Sequence, residues 1–210
     1  MKRIALALLA MIFAVSASAQ DLRWGPTAAI NFSSINGKNF NESDCYLGFN
    51  LGMKVEMDFA DVLTDGFYLE GKFMYTLKGG RWKNYHENLG YLELPVNLGY
   101  RYPVSQSVSL MGSLGPYFGL GVLGKSVNKA EGQKIKTDIF GKSYKRFDFG
   151  LNYNLGVELW NQWQFFIGIE HSLTNMAKTS KISFEGDVVN PDIDVKARLF
   201  NFYIGTAFMF

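Results

Sequence analysis

The sequence predicts an all-β protein, an eight-stranded antiparallel transmembrane β-barrel with short periplasmic turns and long extracellular loops. Three observations predict it. Eight segments alternate apolar and polar side chains with a period of two. The connections between them alternate long and short, the loop pattern of outer-membrane barrels. The last segment, RLFNFYIGTAFMF, puts Phe200, Phe202, Ile204, Thr206, Phe208 and Phe210 on one face, which suits lipid better than water.

Taken in order, the first strand spans Leu22 to Ser33, with Leu22, Trp24, Ala28, Ile30 and Phe32 opposing Arg23, Thr27, Asn31 and Ser33. After the polar stretch INGKNFNESDC, the strand from Leu47 to Phe59 alternates most strictly. The third strand, Phe67 to Lys78, sets Phe67, Leu69, Phe73 and Tyr75 against Tyr68, Glu70, Lys72 and Lys78. A polar segment from Gly79 to Asn88 precedes the fourth, Tyr91 to Tyr102, and a tight turn at Pro103 to Ser107 leads into the fifth, Val108 to Val122. A Lys-rich loop then runs from Gly124 to Ser143. The sixth and seventh strands, Arg146 to Leu159 and Gln164 to Glu170, flank a brief turn at Trp160 to Trp163. A polar loop from Thr174 to Lys196 precedes the closing strand, which must pair with the first. Trp160, Trp163, Tyr100, Tyr102 and Phe210 gather at the short-turn end, where an interfacial girdle belongs.

The N-terminus reads as an export address. Lys2 and Arg3 precede an apolar run from Ile4 to Val15, and Ala17-Ser18-Ala19 has the small-x-small form of a cleavage site. Residues 1–19 are therefore expected to be a signal peptide and 20–210 the barrel domain. No later stretch is apolar over the roughly 18 residues that a membrane helix needs. A formal charge of +2 is too near balance to suggest nucleic acid. The composition, with 18 Phe, 11 Tyr and 22 Gly, favours sheet over helix. Cys45 is the only cysteine, so an internal disulfide is excluded.

A soluble eight-stranded barrel of lipocalin type would turn the apolar faces inward. Here those faces carry more Phe, Leu, Tyr and Val than a narrow interior holds, while the polar faces are rich in Gly, Asn and Ser. The polar faces are therefore assigned to the lumen. They collect Arg23, Lys54, Lys72, Lys78, Arg101 and Arg146 with Glu56, Asp58, Glu70, Glu93, Asp148, Glu158 and Glu170. Charges in so narrow a lumen must pair, so a structural salt-bridge plug is expected rather than a pore. Short periplasmic turns would bring Glu70 and Arg101 together.

No catalytic, cofactor or metal site is expected. His171 and Ser172, beside Glu170, resemble the acid, His and Ser of outer-membrane lipid deacylases, but adjacent strand residues point to opposite faces. His86 has no Cys or His nearby. A small-ligand transport barrel would need an apolar interior. The loop lysines Lys125, Lys129, Lys134, Lys136, Lys142 and Lys145 are placed to meet lipopolysaccharide phosphates.

Tyr91-Leu92-Glu93-Leu94-Pro95-Val96-Asn97-Leu98-Gly99-Tyr100 resembles the "YLEIPLLLKY" segment of the PorT-like outer-membrane β-barrel family of Bacteroidetes. Gly48, Gly52, Glu70 and Gly79-Gly80 extend the likeness in outline, while Asn97 and Gly99 depart from it. The resemblance implies a bacterial outer-membrane protein with a non-enzymatic structural or interaction role, associated with secretion-system proteins. It also implies that Phe210 is the aromatic signal read by the barrel-assembly machinery. Pro95 cannot donate to a ladder and a closed barrel offers no edge, so a bulge or distorted pairing is expected there, with Glu93 accepting a lumen hydrogen bond.

Overall fold

The protein is described from a computed structural model covering residues 22–37, 43–58, 65–83, 85–130, 133–141, 143–177 and 196–210, with backbone alone for 128–130 and 133–137. The expected signal peptide and Phe59 lie outside these residues. Nine strands are formed: β1 Leu22–Asn36, β2 Tyr46–Asp58, β3 Phe67–Arg81, β4 Tyr85–Ser105, β5 Val108–Ala130, β6 Gln133–Asp138, β7 Phe147–Leu159, β8 Trp163–Ser172 and β9 Arg198–Phe208. Eight of them close a ring of antiparallel neighbours, β1-β2-β3-β4-β5-β7-β8-β9 and back to β1. The closing seam pairs Thr27 with Ala207 through to Asn36 with Arg198. Closure leaves no open edge within the ring, as a backbone in hydrocarbon requires.

The faces sort as a period of two dictates. Along β8 every second residue is exposed, from Trp163 through Phe165, Ile167 and Ile169 to His171, while Gln164, Phe166, Gly168, Glu170 and Ser172 are buried. The same holds on β2, where Leu47, Phe49, Leu51, Met53 and Val55 face outward. Exposed apolar side chains of this number would be costly in water and are at home in lipid. Trp160, Trp163, Tyr100, Tyr102 and Phe210 are all exposed at the end of the short turns. The turn at Trp160-Asn161 has φ of 51° and 56°, a conformation that two-residue hairpins favour and that Asn tolerates better than Trp.

Glycines on the inner face make room for rings. A Cβ added at Gly99 would stand 2.2 Å from the Tyr68 ring, and one at Gly168 2.2 Å from the Tyr203 ring. Gly150 is overlain in the same way by Tyr117. The tyrosines thus lie across the lumen over neighbouring strands, filling space that the small residues vacate.

Two expectations about connections are corrected and a third is narrowed. The Lys-rich loop is largely strand, because β5 continues to Ala130 and turns back as β6, pairing Lys125 with Asp138. This hairpin stands outside the ring. The polar segment at Gly79 to Asn88 is likewise mostly ladder, with Arg81 opposite His86. In both places backbone pairing continues past the apolar belt, where side-chain alternation no longer reports it. At Pro95, of the two alternatives expected, the distorted pairing is found and the bulge is not. The register shifts lie at Gly90/Tyr91 and Pro103/Ser105. Around Pro95 the β3–β4 ladder skips from Gly71↔Val96 to Met74↔Glu93 without changing register. The missing N–H is absorbed as a gap in pairing rather than as an extra residue.

Candidate functional site: the ion-paired lumen

The inward side chains form two charged layers. In the layer nearer the periplasm, Glu56 is the hub. It accepts hydrogen bonds from Arg23 at 2.5 Å, Arg101 at 2.7 Å and Gln164 at 2.9 Å, with the Lys54 ammonium 2.9 Å away. Lys54 also reaches Glu70 at 2.7 Å, and Lys72 meets the same carboxylate at 3.1 Å. Arg23 and Arg101 contact Glu158 at 2.9 and 3.0 Å, and Arg101 reaches Asp58 at the rim at 3.1 Å. Four cations, Arg23, Lys54, Lys72 and Arg101, thus face four carboxylates, Glu56, Asp58, Glu70 and Glu158. Balance of this kind is what makes a buried charge tolerable.

The upper layer centres on Lys78, which spans the lumen between Glu93 at 2.5 Å and Glu170 at 2.6 Å. Glu170 also accepts from Asn152 and Asn201, at 3.2 and 2.9 Å. Asp148 is held by three hydroxyls, Tyr117 at 2.8 Å, Ser172 at 2.5 Å and Thr174 at 2.5 Å. Between the layers Asn97, Asn152, Asn154 and Tyr203 interlock, Asn97 donating to Glu70 at 2.7 Å and to Asn152 at 2.8 Å. Two cavities inside the barrel are about 10 Å³ each, one lined by Lys54, Glu70 and Lys72, the other by Asn50, Lys72 and Glu170. Each has room for about one water.

Two expected placements are corrected. Glu70 and Arg101 do not pair. The β3–β4 register sets Glu70 opposite Asn97, and Arg101 lies four residues further toward the periplasm, where it turns to Glu56, Asp58 and Glu158. Arg146 is not a lumen charge. It precedes β7, stands exposed at the extracellular mouth, donates to the Gly121 carbonyl at 3.1 Å and lies over the Phe140 ring. In the family-like segment, Tyr91, Glu93 and Pro95 point inward and Leu94 faces outward, with Leu92 half-buried on the outer face. Glu93 takes its hydrogen bond from Lys78. His171 is exposed and Ser172 buried, on opposite faces of β8, so the hydroxyl meets Asp148 and not the imidazole.

Sequence reasoning missed the apolar cap that closes the extracellular mouth. Ile139, Phe140 and Tyr144 fold inward from the segment after β6 and pack with Ile35, Leu89, Tyr91, Met176 and Leu199. Phe140 meets Tyr91 edge-on at 5.5 Å and covers Gly121 and Gly124. Tyr144 donates to Glu87 at 2.8 Å. Glu87 lies above the apolar belt, opposite Gly80 and Ser126, and burial raises its carboxyl above the ordinary range while the Tyr144 hydrogen bond partly offsets this. The signal was present in the pairs Ile139-Phe140 and Met176-Ala177, apolar islands within polar loops. Lys125 is exposed on the outer wall below this cap, whereas the side chains of Lys129, Lys134 and Lys136, and all of Lys142, lie outside the described residues. Cys45 is exposed near the mouth.

A closed ring that is apolar outside and charged and tightly packed inside defines a transmembrane β-barrel of the outer-membrane kind. The chain belongs to the outer membrane protein beta-barrel domain family, whose profile matches residues 5–208. No curated protein sequence matches it. Solved structures with a similar trace include Ail, the attachment invasion locus protein of Yersinia pestis, at 16% identity and a TM-score of 0.47, covering 91% of this chain and 100% of that one. Neisserial surface protein A is similar at 9% identity and a TM-score of 0.46, covering 89% and 97%. OprG of Pseudomonas aeruginosa is similar at 13% identity and a TM-score of 0.45, covering 91% and 96%.

Proposed function

We propose that this protein is a non-enzymatic barrel of the bacterial outer membrane whose plugged interior serves as a rigid pedestal for extracellular loops that engage other proteins. The observation that carries the reading is the lumen. Its cations are all held by carboxylates, Asp148 is held by hydroxyls, and the cavities beside Lys54 and Lys72 hold about one water each, so the described lumen is packed with side chains rather than open to solutes. That packing weighs against a small-ligand transport barrel. The separation of His171 from Ser172 weighs against a lipid-modifying enzyme. The resemblance of Tyr91 to Tyr100 to PorT-like barrels of Bacteroidetes supports secretion-system proteins as the loops' partners. Cleavage after Ala19 and recognition of Phe210 by the barrel-assembly machinery complete the route to the membrane.

Planar-bilayer recording tests the plug. The purified barrel should show no steady conductance above the bare bilayer, and open channels in most insertions would overturn the reading. Crosslinking in intact outer membranes, followed by pull-down, should recover secretion proteins through the loops. Recovery of lipid alone would refute the partner assignment.

A further inference from the structure

The outer wall between β7, β8 and β9 carries a groove of about 100 Å³ with an entirely apolar lining. Its walls are Tyr153 and Leu155 of β7, Ile167 and Ile169 of β8 and Phe202 of β9, backed by Asn154 and Gly168, whose side-chain positions face the lumen. Above the groove, the outward faces of the same strands carry His171 and Arg198. His171 follows Ile169 on β8, and its register partner Phe200 is followed, one outward step higher on β9, by Arg198. Both are exposed, and neither has an ion pair or side-chain hydrogen bond among the described residues. The cations of the lumen, by contrast, are all matched.

Height places these features in one leaflet. Eight residues separate Trp163, in the periplasmic girdle, from His171, about 26 Å along the strand and about 20 Å along the membrane normal at the usual tilt. Arg198 stands about 5 Å higher, at the edge of an apolar band roughly 25 Å tall. The groove therefore lies at acyl-chain depth in the outer leaflet, with His171 near the top of the apolar band and the Arg198 guanidinium at headgroup depth above it. An arginine at that height is favourable where the facing headgroup carries phosphate.

We propose that this groove and Arg198 form a specific site for a phosphorylated glycolipid of the lipid A type, one acyl chain lying in the groove past His171 and a sugar phosphate meeting Arg198. The inference rests on the outer-membrane placement but not on the plugged lumen, so a barrel that conducts ions could still hold the lipid, and a silent one could lack it.

The test is native mass spectrometry of the full chain extracted from outer membranes in mild detergent, with folding verified by heat-modifiable gel migration. Lipid A should be retained at about one per barrel. Arg198→Gln should lower its occupancy about fivefold, the weight of one basic side chain at a lipid surface. Ile169→Trp, which fills the groove and leaves Arg198 and His171 in place, should lower it comparably. Lys83→Gln, at an exposed extracellular position away from these strands, should leave it unchanged. Equal lipid A in all four proteins would overturn the proposal. So would retention of phosphatidylglycerol in place of lipid A, or a second copy of the chain in that mass window.

Discussion

Removing the Glu56 carboxylate tests whether the lumen is held by charge balance. Glu56 is 1% exposed and is approached by Arg23, Lys54, Arg101 and Gln164, all within 2.9 Å. Glu56→Ala leaves four cations facing three carboxylates in a space without room for a compensating hydrated ion. Breaking a buried ion pair by removing one partner costs about 3–5 kcal/mol. Three cations lose a partner here, so the upper part of that range is expected. Glu56→Gln keeps the shape and two hydrogen-bonding positions and should fall at the lower part. Adding Lys54→Met to Glu56→Ala removes the surplus charge, while Lys72 still satisfies Glu70 at 3.1 Å. The double variant should recover at least about 1 kcal/mol, as coupled neighbours do. Reversible urea unfolding in phospholipid vesicles, followed by tryptophan fluorescence, gives each value. A Glu56→Ala barrel within about 0.5 kcal/mol of the parent would refute the reasoning, because that is the effect of an uninvolved surface site. A double variant no more stable than the single one would refute it equally.

The remaining predictions concern the two ends of the barrel. Phe210 is exposed, meets the rings of Trp24 and Phe208 at separations of 5.1 and 5.0 Å, and makes a backbone bond to Trp24. Deleting it should cost the refolded barrel about 1 kcal/mol, the weight of an aromatic pair, yet sharply lower the amount inserted in cells. Immunoblots of outer-membrane fractions that show parental levels would contradict the assembly-signal role. At the other end, the raised Glu87 carboxyl makes the cap pH-dependent. A carboxyl whose folded value lies above its unfolded one adds stability that is complete below the unfolded value and is lost as pH rises through the folded one. Limited proteolysis of the segment around Phe140 should therefore be slower near pH 4 than near pH 8. Glu87→Gln should flatten that difference, and an unchanged profile in the variant would remove Glu87 from the account.

Much of this fold was legible because one face of every spanning strand meets lipid and the other meets side chains. Alternation such as Leu47, Phe49, Leu51, Met53 and Val55 against Asn50, Lys54 and Glu56 then reports the direction of each residue without knowledge of its neighbours. Partners are another matter. Which carboxylate Arg101 reaches depends on register, and the β3–β4 ladder sets Glu70 opposite Asn97, a fact that no single strand contains. Arg146 was misassigned because alternation extended one residue past the true start of β7. Beyond the belt the signal fades, since strands standing in water on both sides need not alternate. The ladder at Lys125 to Ala130 and the cap built on Phe140 were hidden for that reason.

The rings that overlie inner-face glycines constrain how such a chain can diverge. At Gly99 even a methyl group would collide with Tyr68, and at Gly168 with Tyr203. Neither glycine can therefore change first. The tyrosine must shrink before its partner grows, and a shrunken tyrosine on its own leaves a void in a packed interior. Each pair is an epistatic unit in which one mutational order is blocked by collision and the other passes through a weakened intermediate. Descendants of this protein should hold or lose the two members of a pair together, so that ring and glycine are inherited as one character.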